Sequence, residues 1–338
     1  MAKERIIPIF IPHLGCPHRC VFCNQNSISG EQVPVTPRTA AETLKAGLSK
    51  LGGESAQAAF YGGSFTAIPA AEQEAFLQAV QPFLQSGKLT GLRVSTRPDC
   101  IDGETLARLR AGGVQTVELG AQSMDGEVLR MSRRGHTAED TERAAGLVRA
   151  AGFRLILQMM TGLPGDSREK ALETGRVLAA LQPDGVRIYP AVVLRDTALF
   201  ELWRRGEYEP QSVEAAAELC GELLEIFHEA GIPVIRTGLN PSEDLGGGQA
   251  AAGAYHPALG EMARSRFLYQ RAKRVLAGVP EGSDAVLGVR REWVSPMIGQ
   301  KRENIRKLQA EFGLHSLRVR PVFPDGGEIV LLEVAKPF

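Results

Sequence analysis

Six short runs of apolar and β-branched residues, at 5–11, 57–61, 92–96, 116–119, 154–160 and 186–193, alternate with amphipathic stretches, and that alternation limits the fold more than any other feature. The runs are of strand length. The stretches between them, at 40–51, 71–84, 103–111, 138–151 and 168–180, are long enough for right-handed helical crossovers onto a parallel sheet. The order predicts an α/β fold, a partial (β/α)6 barrel, with its reactive site at the C-terminal ends of the strands. A longer helix is expected at 213–230, followed by Gly231 and an extended piece at 232–236. Gly246-Gly247-Gly248 then marks the expected boundary between a barrel at 1–245 and a small α+β region at 246–338.

Directly after the first run, where a loop at the reactive end belongs, stands Gly15-Cys16-Pro17-His18-Arg19-Cys20-Val21-Phe22-Cys23. Three thiolates at this spacing hold three irons of a four-iron four-sulfur cluster and leave the fourth iron open to a small molecule. The alternative is a closed zinc site, which wants four ligands and would recruit His13 or His18, although zinc spacings are more usually paired. Five cysteines, three of them in this run, do not make a disulfide framework, and an oxygen-sensitive cluster needs a reducing compartment. Cys100 and Cys220 read as buried or half-buried apolar fillers. No apolar run approaches the roughly 20 residues that span a bilayer, and the N-terminal segment shows no cleavage site. The expected location is the cytoplasm, with no membrane partner.

Seven segments in order carry a resemblance: 15–23, Tyr61-Gly62-Gly63-Ser64-Phe65, Thr96-Arg97-Pro98-Asp99, Val117-Glu118-Leu119-Gly120-Ala121-Gln122-Ser123, Arg134-Gly135-His136-Thr137, Gly162-Leu163-Pro164-Gly165, and 187–195. The chain resembles radical S-adenosylmethionine (SAM) enzymes, and is similar within them to the radical domain of the Elongator catalytic subunit and its shorter bacterial relatives. The resemblance implies a barrel of the radical SAM type, a 4Fe-4S cluster on Cys16, Cys20 and Cys23, and S-adenosyl-L-methionine on the open iron. It also implies reductive cleavage of that cofactor to a 5′-deoxyadenosyl radical that abstracts hydrogen from a substrate. The electron would come from a donor of the flavodoxin or ferredoxin type. Phe22 falls where an aromatic ring and backbone meet the adenine. Gly62 and Gly63, with Ser64 beside them, fall where backbone approaches the methionine amino group. Related porphyrinogen-oxidising members imply cofactor contacts at Gln122, Arg134 and Gln158, with the Arg134 fork on the methionine carboxylate. Ser95 stands where many relatives carry Glu, so a carboxylate contact to the ribose is lost or weakened. No acetyl-CoA pyrophosphate loop is found, and the expectation is a radical domain without the acetyltransferase domain.

Formal net charge is zero, yet residues 266–320 carry twelve Lys and Arg against five Asp and Glu. Within that basic stretch a strand at 284–290, a short helix at 292–298, a basic loop at 299–302, a helix at 303–312 and a strand at 317–322 are expected. This order resembles the core of a KH domain, whose Gly-x-x-Gly loop clamps nucleic-acid backbone. Gly299, Lys301, Arg302 and Arg306 are the implied contacts, with Arg302 in place of the second glycine and able to seek phosphate. The plain alternative is a solvated basic helix packed by Ile305, Leu308 and Phe312. Three functions follow: a radical enzyme modifying RNA, tRNA in particular; a radical enzyme acting on a small metabolite or tetrapyrrole, with the tail as lid or dimerisation module; or a cluster that serves only redox or structure. Glu118 and Arg187 are expected to point into the barrel and to need a partner or a ligand there, and His136 reads either as a pH-sensitive substrate residue or, more plainly, as a residue that orders its loop by a hydrogen bond.

Overall fold

Eight strands open the chain: β1 (Ile6–Phe10), β2 (Ala56–Tyr61), β3 (Leu89–Thr96), β4 (Val114–Gln122), β5 (Arg154–Thr161), β6 (Gly185–Pro190), β7 (Val192–Leu194) and β8 (Val234–Thr237). All but β7 join one parallel sheet in the order β1-β2-β3-β4-β5-β6-β8. The coordinates are a computed structural model that describes residues 5–30, 33–52, 54–240, 245–322 and 329–336. Two compact units divide the chain: Met1–Ser212 with Phe227–Tyr255, and Val213–Ile226 with His256–Phe338.

In the first unit the strand order never reverses. Right-handed crossovers therefore put every connecting helix on one face, and the sheet curls into a half-barrel that leaves the other face to line a cavity. Side chains alternate accordingly. Ile7, Ile9, Phe60, Leu92, Val94, Val117, Leu119, Leu155, Leu157, Val186 and Ile188 are all buried on the helix side. Each contributes on the order of 1.5–3 kcal/mol to holding the helices on the sheet. Those helices are α2 (Pro37–Lys50), α3 (Ala70–Gln85), α4 (Gly103–Ala111), α6 (Ala138–Ala150) and α7 (Arg168–Ala180), while α1 (Gln25–Ser29), α5 (Gly126–Met131) and α8 (Ala198–Arg204) are short helices of the loops at the reactive end. Most start sharply, because short polar residues cap them: Thr36 and Thr137 in full capping boxes, and Asp102, Asp125, Ser167 and Thr197 by single bonds. Loops at the reactive end are thus tied to helices of fixed start.

The expected sixth strand, 186–193, is two strands. Pro190 has no N–H to continue the ladder, Ala191 N–H turns back to Thr161 O at 2.8 Å, and β7 leaves to pair antiparallel with β9 (Ala250–Gly253). The extended piece at 232–236 becomes β8, a seventh strand beside β6. The triglycine lies in the first unit, inside a turn at Leu245–Gln249 just ahead of β9.

The second unit takes most of α9 (Val213–Glu229) and all of α10 (Leu259–Leu276), β10 (Asp284–Val289), α11 (Val294–Ile298), α12 (Glu303–Glu311), β11 (Ser316–Pro321) and β12 (Ile329–Ala335). Its mixed sheet runs β11-β10-β12, with β10 parallel to β11 and antiparallel to β12. Strand, helix, loop, helix and strand follow in the expected order from 284. The 18-residue α10, unexpected from the sequence, packs beside α12, where Tyr269 OH donates to Glu311 at 2.7 Å. Among the described residues no helix is long and apolar enough to cross a membrane.

Candidate active site

The cysteine loop is pinned at both ends. Where it leaves β1, Ile11 N–H donates to Tyr61 O at 2.8 Å and His13 N–H to Gly62 O at 2.9 Å. Gly63 is required by this approach, since a Cβ would lie 2.5 Å from Leu14 O and 2.6 Å from Ile11 O. At the far side Val21 N–H donates to Ser132 O at 3.1 Å and Val21 O accepts Leu199 N–H at 2.8 Å. Val21 and Phe22 pack with Val193 and Leu199, so β7 and α8 back the loop. His13, with φ 57°, accepts Gln25 N–H on Nε2 at 3.1 Å, which commits that nitrogen to the loop instead of a metal.

Cys16, Cys20 and Cys23 open into one cavity of about 420 Å³ at the C-terminal ends of the strands. Two sulfurs have N–H neighbours: Arg134 Nη1 lies 3.3 Å from Cys20 Sγ and Gln25 Nε2 lies 3.4 Å from Cys23 Sγ. Burial, and then Cys20, raises the Cys16 pKa, and the same two causes push Cys23 up to about 12. Thiols held protonated this way lose the proton to a bound metal centre, which reverses the local electrostatics. Among the described residues no three His, Cys, Asp or Glu side chains crowd around a single ion position. Three soft donors opening into one shared space, with N–H groups on two of their sulfurs, fit an iron–sulfur group whose thiolates each take a separate iron.

The strands line the rest of the cavity mostly at every second residue: Ile6, Pro8 and Phe10 from β1, Tyr61 from β2, Ser95 from β3, Glu118, Gly120 and Gln122 from β4, Gln158 and Met160 from β5, Arg187 and Tyr189 from β6, and Arg236 from β8, with Thr96 and Pro190 added where β3 and β6 end. Phe22, Gly62, Gly63, Ser95, Gln122, Arg134 and Gln158, the positions implied by the resemblance, therefore share this space. Gln122 has φ 65° at a register shift in β4, and Gln158 Nε2 reaches its Oε1 at 3.4 Å. A strained backbone held in a cavity wall is a mark of functional sites. Arg134 is buried, donates through Nη2 to Gly120 O at 2.7 Å, and keeps a buried Nε–H that has no partner among the described residues. Gly120 leaves room for that fork, because a Cβ would stand 2.8 Å from Nη2. Ser64 is placed differently: fully buried behind the wall, with Oγ 3.0 Å from Thr96 Oγ1 and accepting Arg97 N–H at 3.3 Å. Its neighbour Arg97 is held by Asp99 through two bonds of 2.9 and 3.0 Å. His136 Nε2 lies 3.1 Å from Ala121 O, and burial followed by Arg134 lowers its pKa to about 4, so the ring is neutral and orders its loop.

One buried carboxylate organises the cavity floor. Glu118 pairs with Arg93 Nη1 at 2.9 Å and with Arg187 Nε at 3.0 Å, and accepts Tyr61 OH at 2.7 Å. Burial, then Glu118, raises the Tyr61 pKa, which keeps the phenol a neutral donor.

The family model of the radical SAM superfamily matches residues 10–178, and that of the radical SAM C-terminal domain matches residues 183–268. The chain belongs to the radical SAM superfamily. An uncharacterised protein of Methanocaldococcus jannaschii is 32% identical over 241 residues, 66% of this chain and 72% of that one. The tRNA uridine(34) acetyltransferase of Methanocaldococcus infernus is 35% identical over 135 residues, 39% of this chain and 25% of its own length. Human Elongator complex protein 3 is 27% identical over 226 residues, 61% of this chain and 40% of its own. The match thus spans a quarter to two fifths of these two relatives. Among solved structures, Methanocaldococcus infernus Elp3 superimposes with TM-score 0.63 at 23% identity, covering 80% of this chain and 64% of that one. Coproporphyrinogen III oxidase (HemN) of Escherichia coli does so with TM-score 0.50 at 20% identity, covering 68% and 54%. These identities speak for a common fold.

Several lining residues of this radical SAM enzyme had no signal in sequence spacing. Gln25 stands two residues after Cys23 and was legible only as a neighbour. Arg236 and Asn240 reach the cavity because β8 joins the sheet. The expected nucleic-acid contacts lie in the second unit. Lys301, Arg302 and Arg306 are exposed, and among the described residues none has a carboxylate at ion-pair distance. Lys301 and Arg302 adopt φ 49° and 63° in succession. Gly299, at φ 75°, lies against Asn304, whose Nδ2 donates to Ser265 Oγ at 2.9 Å and Met297 O at 3.2 Å and so fixes the loop.

Proposed function

We propose that this radical SAM enzyme cleaves S-adenosyl-L-methionine reductively and uses the resulting radical on RNA, with a tRNA nucleoside as substrate. The observation that carries the reading is the convergence of Cys16, Cys20 and Cys23 with Phe22, Gln122, Arg134 and Gln158 on one cavity at the strand ends. When bound there, a 4Fe-4S cluster with S-adenosyl-L-methionine supplies the electron transfer and the 5′-deoxyadenosyl radical that abstracts hydrogen. The chain's own part is positioning. Cys16, Cys20 and Cys23 hold three irons. Arg134 offers its unpartnered Nε–H to a carboxylate, Gln122 and Gln158 offer amides to hydroxyls, and Phe22 offers a ring face to adenine. The Gly62 carbonyl already accepts His13 N–H, so any amino group there shares it through its second lone pair. Phe10, Met160 and Pro190 supply apolar wall that excludes water from a reactive species. An electron donor of the flavodoxin or ferredoxin type completes the reaction in a reducing, cytoplasmic setting.

RNA as substrate is supported by the names of the relatives, several of which are tRNA uridine(34) acetyltransferases, and by the exposed basic loop at 299–302 in a KH-like order of elements. Anaerobic purification, reconstitution with iron and sulfide, and measurement of 5′-deoxyadenosine after dithionite and S-adenosyl-L-methionine, with and without bulk tRNA, tests both parts. Cluster-dependent product raised by tRNA is expected. Product indifferent to tRNA moves the substrate to a small metabolite, and no product under reducing conditions defeats the radical reading.

A further inference from the structure

Arg187 and Arg236 are direct partners in the register of β6 and β8, and both line the cavity. Neighbouring strands lie about 4.8 Å apart, so two guanidinium stems rise side by side on one face. Like charges so placed destabilise a sheet unless something lies between them. Arg187 has the Glu118 carboxylate, which is committed to Arg93 and Tyr61 as well. Arg236 donates through Nε to Gly238 O at 3.1 Å, and among the described residues no carboxylate stands at ion-pair distance from it. Beside the pair, Tyr189 OH lies 3.4 Å from Arg187 Nη1. Among the described residues the cavity wall thus holds a cation without a countercharge next to a second cation, a phenol hydroxyl and enclosed space.

We propose that Arg187 and Arg236 seat an oxyanion carried by the substrate, a phosphate or a carboxylate, on the β6–β8 side of the cavity. A guanidinium fork makes two parallel charge-assisted bonds to such a group, and burial strengthens them. The seat rests on the substrate reading above only for what carries the anion; for an RNA nucleotide it is the phosphate that flanks the reacting nucleoside.

The test is a binding titration of the reconstituted protein at constant ionic strength. The probes are inorganic phosphate, acetate, uridine 5′-monophosphate and uridine, followed by calorimetry. Expected are saturable binding of phosphate or acetate and an affinity for uridine 5′-monophosphate about tenfold or more above that for uridine. Arg236→Gln should remove both, and Arg236→Lys should restore part of each by returning the charge. Phosphate binding without acetate assigns a phosphate, and acetate binding at least as tight assigns a carboxylate. Equal affinity for the nucleotide and the nucleoside together with no binding of either simple anion overturns the seat, as does anion binding that survives Arg236→Gln. Should Arg236→Gln not fold, the wild type decides: saturable thermal stabilisation by phosphate or acetate, beyond that of chloride, supports the seat, and its absence defeats it. A tRNA-stimulated enzyme that binds no small anion would lose the seat and keep the RNA reading. Anion binding without any response to tRNA would do the reverse.

Discussion

Cationic side chains do opposite things in the two units. On the cavity floor Arg93 is buried and Arg187 partly buried, and they share one carboxylate, Glu118, while Arg97 is tied to Asp99 by two bonds. On the loop at 299–302 Lys301 and Arg302 are exposed to solvent. The difference is one of dielectric. A buried charge must be paired, so the floor behaves as a set in which each member depends on the others. An exposed charge is screened and contributes to binding almost independently. Both regions hold non-glycine residues at positive φ, Gln122 inside and Lys301 with Arg302 outside. Inside, the sheet over-determines that conformation; outside, the Asn304 bonds beneath the loop do so.

The largest effect is expected at the cysteines. Alanine at Cys16, Cys20 or Cys23 should abolish 5′-deoxyadenosine formation and the iron–sulfur absorbance after reconstitution, with the fold preserved by circular dichroism. Retained product would refute the ligand assignment.

Glu118→Ala leaves the buried Arg93 and the partly buried Arg187 without their common partner and should cost roughly 3 kcal/mol of stability, read as a fall in denaturant midpoint. A cost similar to that of Lys301→Ala would erase the contrast between the two regions.

His136 brings pH into the first unit. Its folded pKa, near 4, lies below the unfolded value of about 6.5. The unfolded chain therefore binds the extra proton first, and stability falls as pH drops from about 6.5 toward 4, by up to roughly 3 kcal/mol from this group. His136→Gln should flatten that part of the stability profile, and an unchanged slope would show that the ring is not buried neutral.

Neutralising Lys301 and Arg302 together should leave unfolding free energy within about 0.5 kcal/mol. RNA affinity should weaken at all sequences alike, with the salt slope reduced by about one per lost phosphate contact. An unchanged slope in a filter-binding series would remove the loop from the RNA surface.

Smallest is Arg302→Gly, which relieves the left-handed φ and should stabilise the second unit by about 1 kcal/mol while RNA affinity falls. Loss of stability instead would mean that the Arg302 side chain, and not the Asn304 bonds, holds the loop.

Much of the barrel was legible because period-two strands and capped helices are local signals: five of the six expected strand runs appear within a few residues, and the sixth fails only at Pro190. Val192 to Leu194 are as apolar as β6, so composition could not show that they pair elsewhere. Helix α10 was hidden by its own charge. Its apolar residues Leu259, Ala263, Phe267, Ala272 and Leu276 are separated by arginines and lysines whose stems lie on the same helix. In the site, the positions implied by the resemblance lie together except Ser64, which the turn after β2 carries behind the wall.

By itself the sequence determined that three cysteines stand together at the strand ends, since three cysteines within eight residues of one loop need only the backbone between them to meet. It also determined the winding order, since a crossover of given length and hand has one place to return to. Only the tertiary structure decided which distant charges share the floor. Arg93, Glu118 and Arg187 come from three strands, and Arg236 stands beside Arg187 only because β8 registers on β6. The alternation along each strand fixes which face a residue takes, but between strands joined by long crossovers the residue that stands beside it is fixed only when the sheet packs.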